Sequence, residues 1–281
     1  MRLLSSILIF FGFLIITSCE MINPEEQVPT YLHIDSFNFQ KTPNTGTASQ
    51  NITSVWVYFD GERVGVFDLP ATVPIIADKV GQVSVLPGVT YSGIKDILTP
   101  YVFFLSDTMT LTPAPGEIVS WTPTTRYMEE QYLNILNVDF EAGGNPFTQF
   151  DGDTSLQVVS DPNLVFEGNA SGYIYLDNMS RSENMLLQQF FADKEAYIEL
   201  NYRGTLDFEV GLQSTTAGGQ PFTQYVFGYK ARPDWNKVYI GLQDFISANP
   251  GKAYRVVIKV APGSPSTGFV LIDNLKVIFR K

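Results

Sequence analysis

Short apolar segments separated by turn signals run through almost the whole chain, and they constrain its fold more than any other sequence feature. Asp60-Gly61 lies between the apolar runs 55–59 and 63–67, and Asp-Gly in this position favours a β-hairpin because both turn residues adopt positive φ. Similar segments recur towards the C-terminus with Pro or Gly in nearly every gap, which is typical of β-strands. Only residues 183–194 have a pattern that could be helical. We therefore predict an all-β protein.

The spacing of these segments divides the folded part into two units. Residues 30–127 predict a small N-terminal β-sandwich, and residues 132–281 contain enough short strands for a C-terminal jelly-roll β-sandwich. The stretch 128–131 between them contains two glutamates and is the predicted junction. With 281 residues and 44% hydrophobic content, the chain is long enough for two ordinary cores.

Residues 1–18 have the features of a secretory signal peptide, with Arg2 near a positive start and an apolar stretch over 7–16. The stretch is shorter than the roughly 20 apolar residues of a membrane-spanning helix. The sequence Ile-Thr-Ser-Cys at 16–19 resembles the lipobox of bacterial lipoproteins. This resemblance implies that Cys19 is lipidated and becomes the mature N-terminus. The alternative is a plain signal peptide with an incidental cysteine.

Lipidation of Cys19 would define where the protein works. Residues 19–29 are mostly polar and contain two prolines, as expected of a lipidated tether, and several acyl chains hold a protein firmly on a membrane. We expect a lipid-anchored protein of the cell envelope, at the outer membrane and exposed at the surface. Because Cys19 is the only cysteine, this prediction also excludes disulfide bonds.

Charge and residue counts exclude several function classes. A formal net charge of −11 disfavours nucleic acid and anionic lipid as partners. The single histidine, His33, and the single cysteine cannot supply a Ser-His-Asp or Cys-His centre, or a zinc site of several His and Cys ligands. Glycoside hydrolysis needs only two carboxylates, and Glu199 and Asp207 could oppose each other on predicted strands. We predict a protein that is not an enzyme.

Motifs at the two ends of the second domain carry a family resemblance. The domain opens with Asp-Phe-Glu-Ala-Gly at 139–143 and closes with Ile-Asp-Asn-Leu-Lys-Val at 272–277. In this order, these motifs resemble the jelly-roll carbohydrate-binding-module superfamily. In that family the opening Glu and the closing Asp hold a structural calcium, which binds oxygen ligands. The resemblance implies one Ca²⁺ on Glu141 and Asp273, with Asp139 as a further candidate. The alternative is that Asp273 begins a turn and Glu141 is solvated.

The same resemblance implies a non-catalytic domain that captures extracellular carbohydrate. Lectin-like sites combine an aromatic face with polar side chains, and Asn201, Tyr202 and Arg203 are the predicted ligand-binding cluster on a concave sheet face. Tyr173 and Tyr175 also share one face of a regular strand, although such aromatic residues are more often core residues. The alternative function is a structural or adhesive subunit of a surface assembly. Glycoside hydrolysis is the third candidate.

Overall fold

A computed structural model describes residues 26–178, 180–193, 195–215, 219–249, 253–261, 263 and 265–281. Cys19 and the predicted signal peptide lie outside these residues. The described part consists mainly of β-strands, which confirms the all-β prediction. None of its helices is long and apolar enough to span a membrane.

The first domain is a small sandwich of two main sheets. Its strands are β1 (Thr30–Ile34), β2 (Asn38–Phe39), β3 (Ser54–Phe59), β4 (Glu62–Asp68), β5 (Ala71–Ile75), β6 (Gly81–Thr90), β7 (Leu98–Pro100), β8 (Asp107–Leu111), β9 (Ile118–Ser120) and β10 (Thr124–Thr125). Strands β5, β1 and β9 form one sheet, and β4, β3, β6 and β7 form the other, with β8 beside β6. Leu32, Val57 and Val85 belong to the core between them. The β3–β4 hairpin turns at Asp60 and Gly61, which both have positive φ as predicted.

The second domain follows a short 3₁₀ helix, Glu130–Tyr132, at the predicted junction. Its strands are β11 (Leu133–Val138), β12 (Phe147–Gly152), β13 (Gln157–Val159), β14 (Ser171–Leu176), β15 (Ser182–Leu186), β16 (Phe190–Phe191), β17 (Ala196–Gly204), β18 (Phe208–Thr215), β19 (Pro221–Tyr229), β20 (Asn236–Gly241), β21 (Ala253–Val260) and β22 (Gly268–Arg280). A short helix, α1 (Gln243–Ala248), connects β20 to β21.

These strands form two facing sheets in jelly-roll order. One sheet, here called the covered sheet because the first domain packs on it, has the order β13-β14-β22-β17-β20, with β11 beside β22. The other, here called the open sheet, has the order β12-β15-β21-β18-β19, with β16 beside β21. Strands pass repeatedly from one sheet to the other, as β14 to β15, β17 to β18 and β20 to β21 do, which is the jelly-roll arrangement. Residues such as Ile198 and Ile258 fill a single core between the sheets. The predicted C-terminal jelly roll is confirmed.

Residues 183–193 are not helical, so the expectation that the segment 183–194 could be helical is wrong for the part that the structure describes. Ser182–Leu186 forms β15 and Phe190–Phe191 forms β16. Buried and half-buried residues alternate along β15, which is the period of a strand with one face on a core. Pairing with β21 fixes both pieces as strands, and among the described residues of the domain an α-helix lies instead at Gln243–Ala248.

The first domain packs on the outer face of the covered sheet. The ring centroids of Tyr101 and Tyr239 are 4.7 Å apart, and the backbone amide of Asn51 donates a 2.9 Å hydrogen bond to the Tyr239 hydroxyl. One buried cluster joins the two domains through Val89, Tyr101, Phe103, Phe104, Tyr127, Leu133, Tyr197, Tyr239 and Ile278. The outward side chains of the open sheet, such as Glu209 and Gln213, stay partly exposed. The two faces of the jelly roll therefore have different surroundings.

Candidate functional site

A buried ionic cluster lies where the first domain meets the covered sheet. The Glu199 carboxylate on β17 has no exposed surface and is 2.9 Å from Lys237 Nζ and 3.9 Å from Lys276 Nζ. Tyr101 and Tyr127 of the first domain donate hydrogen bonds to it at 2.6 and 2.7 Å. Burial favours the neutral acid, but the two ammonium groups and the Tyr101 hydrogen bond prevail and lower the pKa of Glu199 to about 2. The cluster therefore holds the domains together through a paired, ionised carboxylate.

Glu199 and Asp207, which could have formed the carboxylate pair of a glycoside hydrolase, do not come together. Glu199 faces Tyr239 and Lys276 in the register of the covered sheet, beneath the first domain. Asp207 lies between β17 and β18, where its Oδ2 atom forms an ion pair with Lys230 Nζ at 2.7 Å. Glu199 is fully buried against Tyr101 and Tyr127 of the first domain, whereas the Asp207 side chain is exposed in the connection between the two sheets, so the two carboxylates do not oppose each other.

The prediction that Tyr202 lies on an exposed concave face is wrong. Tyr202 is 3% exposed and packs inside the core against Phe208 and Tyr229, at centroid distances of 4.9 and 5.6 Å. Since successive side chains of a strand point to opposite faces, Tyr202 shares the inner face of β17 with Ile198 and Leu200.

Asn201 and Arg203 face outward, but each is engaged by another group. Asn201 Oδ1 accepts a 3.1 Å hydrogen bond from the Ser49 hydroxyl of the first domain. The Arg203 guanidinium lies 5.4 Å from the Trp235 ring centroid and donates to the Asn163 carbonyl. Asn201, Tyr202 and Arg203 therefore do not form one ligand-binding cluster.

Glu141 and Asp273 approach the loop 166–171 from the two ends of the second domain. Glu141 accepts hydrogen bonds from the backbone amides of Asn169 at 2.7 Å and Ala170 at 2.9 Å, and the Asn169 bond is the main cause that lowers the pKa of Glu141. Asp273 accepts the Ser171 hydroxyl at 2.6 Å. The two carboxylates thus hold three consecutive residues of one loop.

The surroundings of these carboxylates only partly suit a cation. Asp273 is fully buried and forms no ion pair within the described residues, and burial raises the pKa of Asp273 to about 6, so a cation would relieve an uncompensated charge. However, N–H and O–H donors already occupy Glu141 and Asp273, and Asp139 accepts the Glu141 amide at 3.2 Å. The described part of the chain contains no group of three Asp, Glu, His or Cys side chains suited to a metal. Calcium binding therefore stays a prediction.

On the open sheet, a β-bulge turns Tyr225 to the outer face. Val210 pairs with Phe227 and Gly211 pairs with Tyr225, so Val226 is an extra residue in β19. Phe227 packs against the core. In a regular strand without a bulge, Tyr225 would face the same way as Phe227, because the two are two positions apart. Bulges commonly re-aim side chains in this manner.

Tyr225 lies along the surface of the open sheet. Its hydroxyl donates a 2.6 Å hydrogen bond to Glu183 on β15, although β18 and β21 separate β19 from β15. Since neighbouring strands are about 4.8 Å apart, the side chain has to cross the sheet surface to reach Glu183. Gly211 leaves room for it, because a Cβ there would lie 2.9 Å from Tyr225 Cδ1. Burial and the bond to Glu183 raise the pKa of Tyr225 above its ordinary value, so the hydroxyl stays protonated.

Charged side chains flank the Tyr225 ring. Lys259 Nζ lies 4.4 Å from the ring centroid and 2.9 Å from Glu209 Oε2. Glu183, Lys259 and Glu209 are direct neighbours across β15, β21 and β18, so their charges alternate along one row. The Lys259 and Glu209 side chains are 28% and 44% exposed. This row, with Tyr225, forms an accessible surface of aromatic, donor and acceptor groups, here called the Tyr225 face.

The Tyr225 face continues into a shallow groove near the strand ends. Gly228 lies opposite Glu209 in the register of β18 and β19, and no Cβ fills the space there. The groove is lined by Asp207, Phe208, Glu209, Gly228, Tyr229, Lys230, Lys259, Ala261 and Gly263. A ligand lying along the row would therefore find further charged groups beyond Glu209.

Tyr173 and Tyr175 share one face of β14, as the sequence predicts. Their ring centroids are 6.4 Å apart, and Phe269 packs 5.9 Å from Tyr173. Tyr175 is 45% exposed. This pair belongs to the covered sheet, so it lies on the opposite sheet from Tyr225.

Sequence reasoning missed Glu183, Lys259 and Tyr225 as site residues. The alternation of polar Glu209 and Gln213 with apolar Val210 and Leu212 could have identified an outer polar face on β18. No comparable signal exists for Tyr225, because its direction depends on the bulge.

No protein-family model matches the chain, and no curated protein matches it. Solved structures of carbohydrate-binding modules match about half of it. The CBM22-1 xylan-binding domain from Paenibacillus barcinonensis Xyn10C is 13% identical, with 51% of this chain and 93% of that domain covered and a TM-score of 0.40. The family 11 module of the cellulosomal cellulase Lic26A-Cel5E of Clostridium thermocellum is 10% identical, with 53% and 95% covered and a TM-score of 0.37. The family 29 module CBM29_1 from Piromyces equi is 12% identical, with 52% and 90% covered and a TM-score of 0.36.

Proposed function

We propose that this protein is a non-catalytic, lipid-anchored cell-surface protein that captures extracellular carbohydrate on the open sheet of its jelly roll. The observation that carries the proposal is the Tyr225 face, where an aromatic ring crosses the sheet between Glu183 and Lys259. Sugars present apolar C–H surfaces beside hydroxyl groups, so an aromatic ring flanked by hydrogen-bond donors and acceptors suits them.

The surroundings of the carboxylates support binding without hydrolysis. Glu183 accepts the Tyr225 hydroxyl, and Glu209 pairs with Lys259. Both carboxylates are therefore held by donors of the same face, where they can orient sugar hydroxyls. Membrane anchoring is supported by the sequence around Cys19.

Affinity electrophoresis of the full chain through gels that contain soluble polysaccharides tests the proposal. We expect at least one polysaccharide to retard the protein and Tyr225→Ala to abolish the retardation. Tyr175→Ala is the matched control, because it removes a partly exposed tyrosine from the other sheet, and it should keep the retardation. Loss of retardation in Tyr175→Ala with no loss in Tyr225→Ala would contradict the proposed site, and no retardation by any polysaccharide would contradict the function.

A further inference from the structure

We propose that the carbohydrate bound on the Tyr225 face is acidic, and that Arg255 binds its carboxylate. This inference rests on the proposed function and adds the chemical class of the ligand. Uronic acids are a class of sugars that carry such a carboxylate.

Arg255 lies on the outer face of the open sheet, two residues along β21 from Val257, which is in register with Gly211 and Tyr225. Its neighbours Tyr254 and Val256 are fully buried in the jelly-roll core, so Arg255 points to the other side, together with Val257 and Lys259. Val257 has no exposed surface although it faces outward. Val257 pairs with Gly211, and Gly211 pairs with Tyr225 on its other side. The tyrosine that crosses the sheet therefore covers Val257. Alternate residues of a strand are about 7 Å apart. Arg255 and Lys259 therefore lie on opposite sides of the ring.

The two cations beside the ring differ in their partners. Lys259 is paired with Glu209 at 2.9 Å, and the nearby Arg181 is paired with Asp151 at 3.1 Å. In the part of the chain that the structure describes, the Arg255 side chain has no ion pair or hydrogen bond, and Arg255 lies opposite the uncharged Gln213. Among the described cations beside the Tyr225 face, Arg255 is thus the one that no carboxylate neutralises.

The chemistry of an unpaired guanidinium selects the ligand. Arginine binds carboxylates through two parallel hydrogen bonds, and its planar donor fork is matched to that group. At the other side of the ring, Glu183 and Glu209 repel a carboxylate and accept hydrogen bonds from hydroxyls. This charge pattern favours one orientation of an acidic sugar, with its carboxylate at Arg255 and its hydroxyls towards the glutamates.

The test compares acidic polysaccharides with neutral derivatives of the same backbone. Polygalacturonate, alginate and glucuronoxylan, each with its carboxyl-reduced form, are offered to the full chain, and dissociation constants are measured. We expect an acidic form to bind more tightly than its reduced form, with an affinity that falls as salt rises. Arg255→Gln should weaken binding of the acidic form about tenfold, which corresponds to about 1.4 kcal/mol, and should leave the reduced form within about twofold. Arg63→Gln, at an exposed arginine on β4 of the first domain, is the matched control and should change neither.

The outcomes separate this inference from the proposed function. If the reduced forms bind as tightly as the acidic forms, or if Arg255→Gln weakens both equally, carboxylate recognition by Arg255 is overturned while carbohydrate binding stands. If neither form binds to the wild-type chain, the proposed function fails as well.

Discussion

At the scale of single residues, Val226 decides which side chain of β19 reaches the surface. As the extra residue of a bulge, it lets Phe227 and Tyr229 face the core and Tyr225 face outward on the same strand. Gly211 then provides the space that the Tyr225 ring occupies. The candidate site therefore depends on two residues that would not themselves contact a ligand.

Glu199 is the residue on which the docking of the two domains depends most. A buried charge whose partner is removed costs about 3–5 kcal/mol, whereas an exposed ion pair contributes about 0–1 kcal/mol. We expect Glu199→Gln to lower the free energy of unfolding by the larger amount, because Lys237 and Lys276 stay buried without a counter-charge. Glu195→Gln removes a half-exposed pair with Arg280 and should cost no more than the smaller amount. Urea unfolding at pH 7 measures both.

The pH dependence of the stability difference between wild type and Glu199→Gln gives a second test of the buried ion pair. The pKa of Glu199 is lowered from 4.5 to about 2 in the folded protein, so its contribution to stability is full above pH 4.5 and is lost as the pH falls towards 2. The difference between wild type and Glu199→Gln should therefore shrink over this range. A difference that is small at pH 7, or that does not change with acid, would contradict the buried ion pair.

At the scale of elements, the loop 166–171 is where the predicted calcium can be tested. The pKa of Asp273 is raised from 3.8 to about 6. The contribution of Asp273 to the free energy of unfolding is therefore full below pH 3.8 and is lost as the pH rises through 6. A bound cation would offset the ionised form. We expect the melting temperature at pH 7 to fall in EDTA and to recover with Ca²⁺, with a smaller effect at pH 5, where Asp273 is mostly protonated.

Two variants assign the calcium response to this loop. Glu141→Gln should weaken it, because Glu141 holds the Asn169 and Ala170 amides. Asp161→Asn changes an exposed side chain whose carboxylate accepts hydrogen bonds from Asn163, and it should leave the calcium response intact. A melting temperature that changes with neither EDTA nor Ca²⁺ at pH 7 would refute the predicted calcium site.

The elements themselves were largely predictable from the sequence. The Asp60-Gly61 hairpin follows from turn chemistry, and the jelly roll follows from the motifs at 139–143 and 272–277. The segment 183–194 was not predictable in this way, because pairing with β21 overrides a weak local pattern. Tyr202 could have been placed in the core by counting alternate positions from Ile198. The outward direction of Tyr225 could not have been found by counting positions, because a bulge in β19 changes the alternation of inward and outward side chains.

At the scale of the whole molecule, the two sheets of the jelly roll have different roles. The covered sheet binds the first domain through an aromatic cluster and the Glu199 ion pairs. The open sheet keeps its charged row accessible. Removal of the first domain would expose Tyr239 and Lys276, which are about 1% exposed in the whole chain. Binding experiments therefore require both domains.

The proposed membrane attachment is also tested on the whole protein. We expect Cys19→Ser to release the protein from membranes, because several acyl chains are needed for stable anchoring. Fractionation of cells that express the variant measures this. A variant that stays in the membrane fraction would contradict lipidation of Cys19.

The most direct test of the central claim is calorimetric titration of the full chain with an oligosaccharide from the polysaccharide that retards it. An anchoring side chain of an interface contributes at least about 2 kcal/mol, or roughly 30-fold in affinity. We predict that Tyr225→Ala weakens binding by at least about this factor and that Tyr175→Ala changes it by less than about twofold. Undiminished affinity in Tyr225→Ala, or a large loss in Tyr175→Ala alone, would contradict carbohydrate binding on the open sheet.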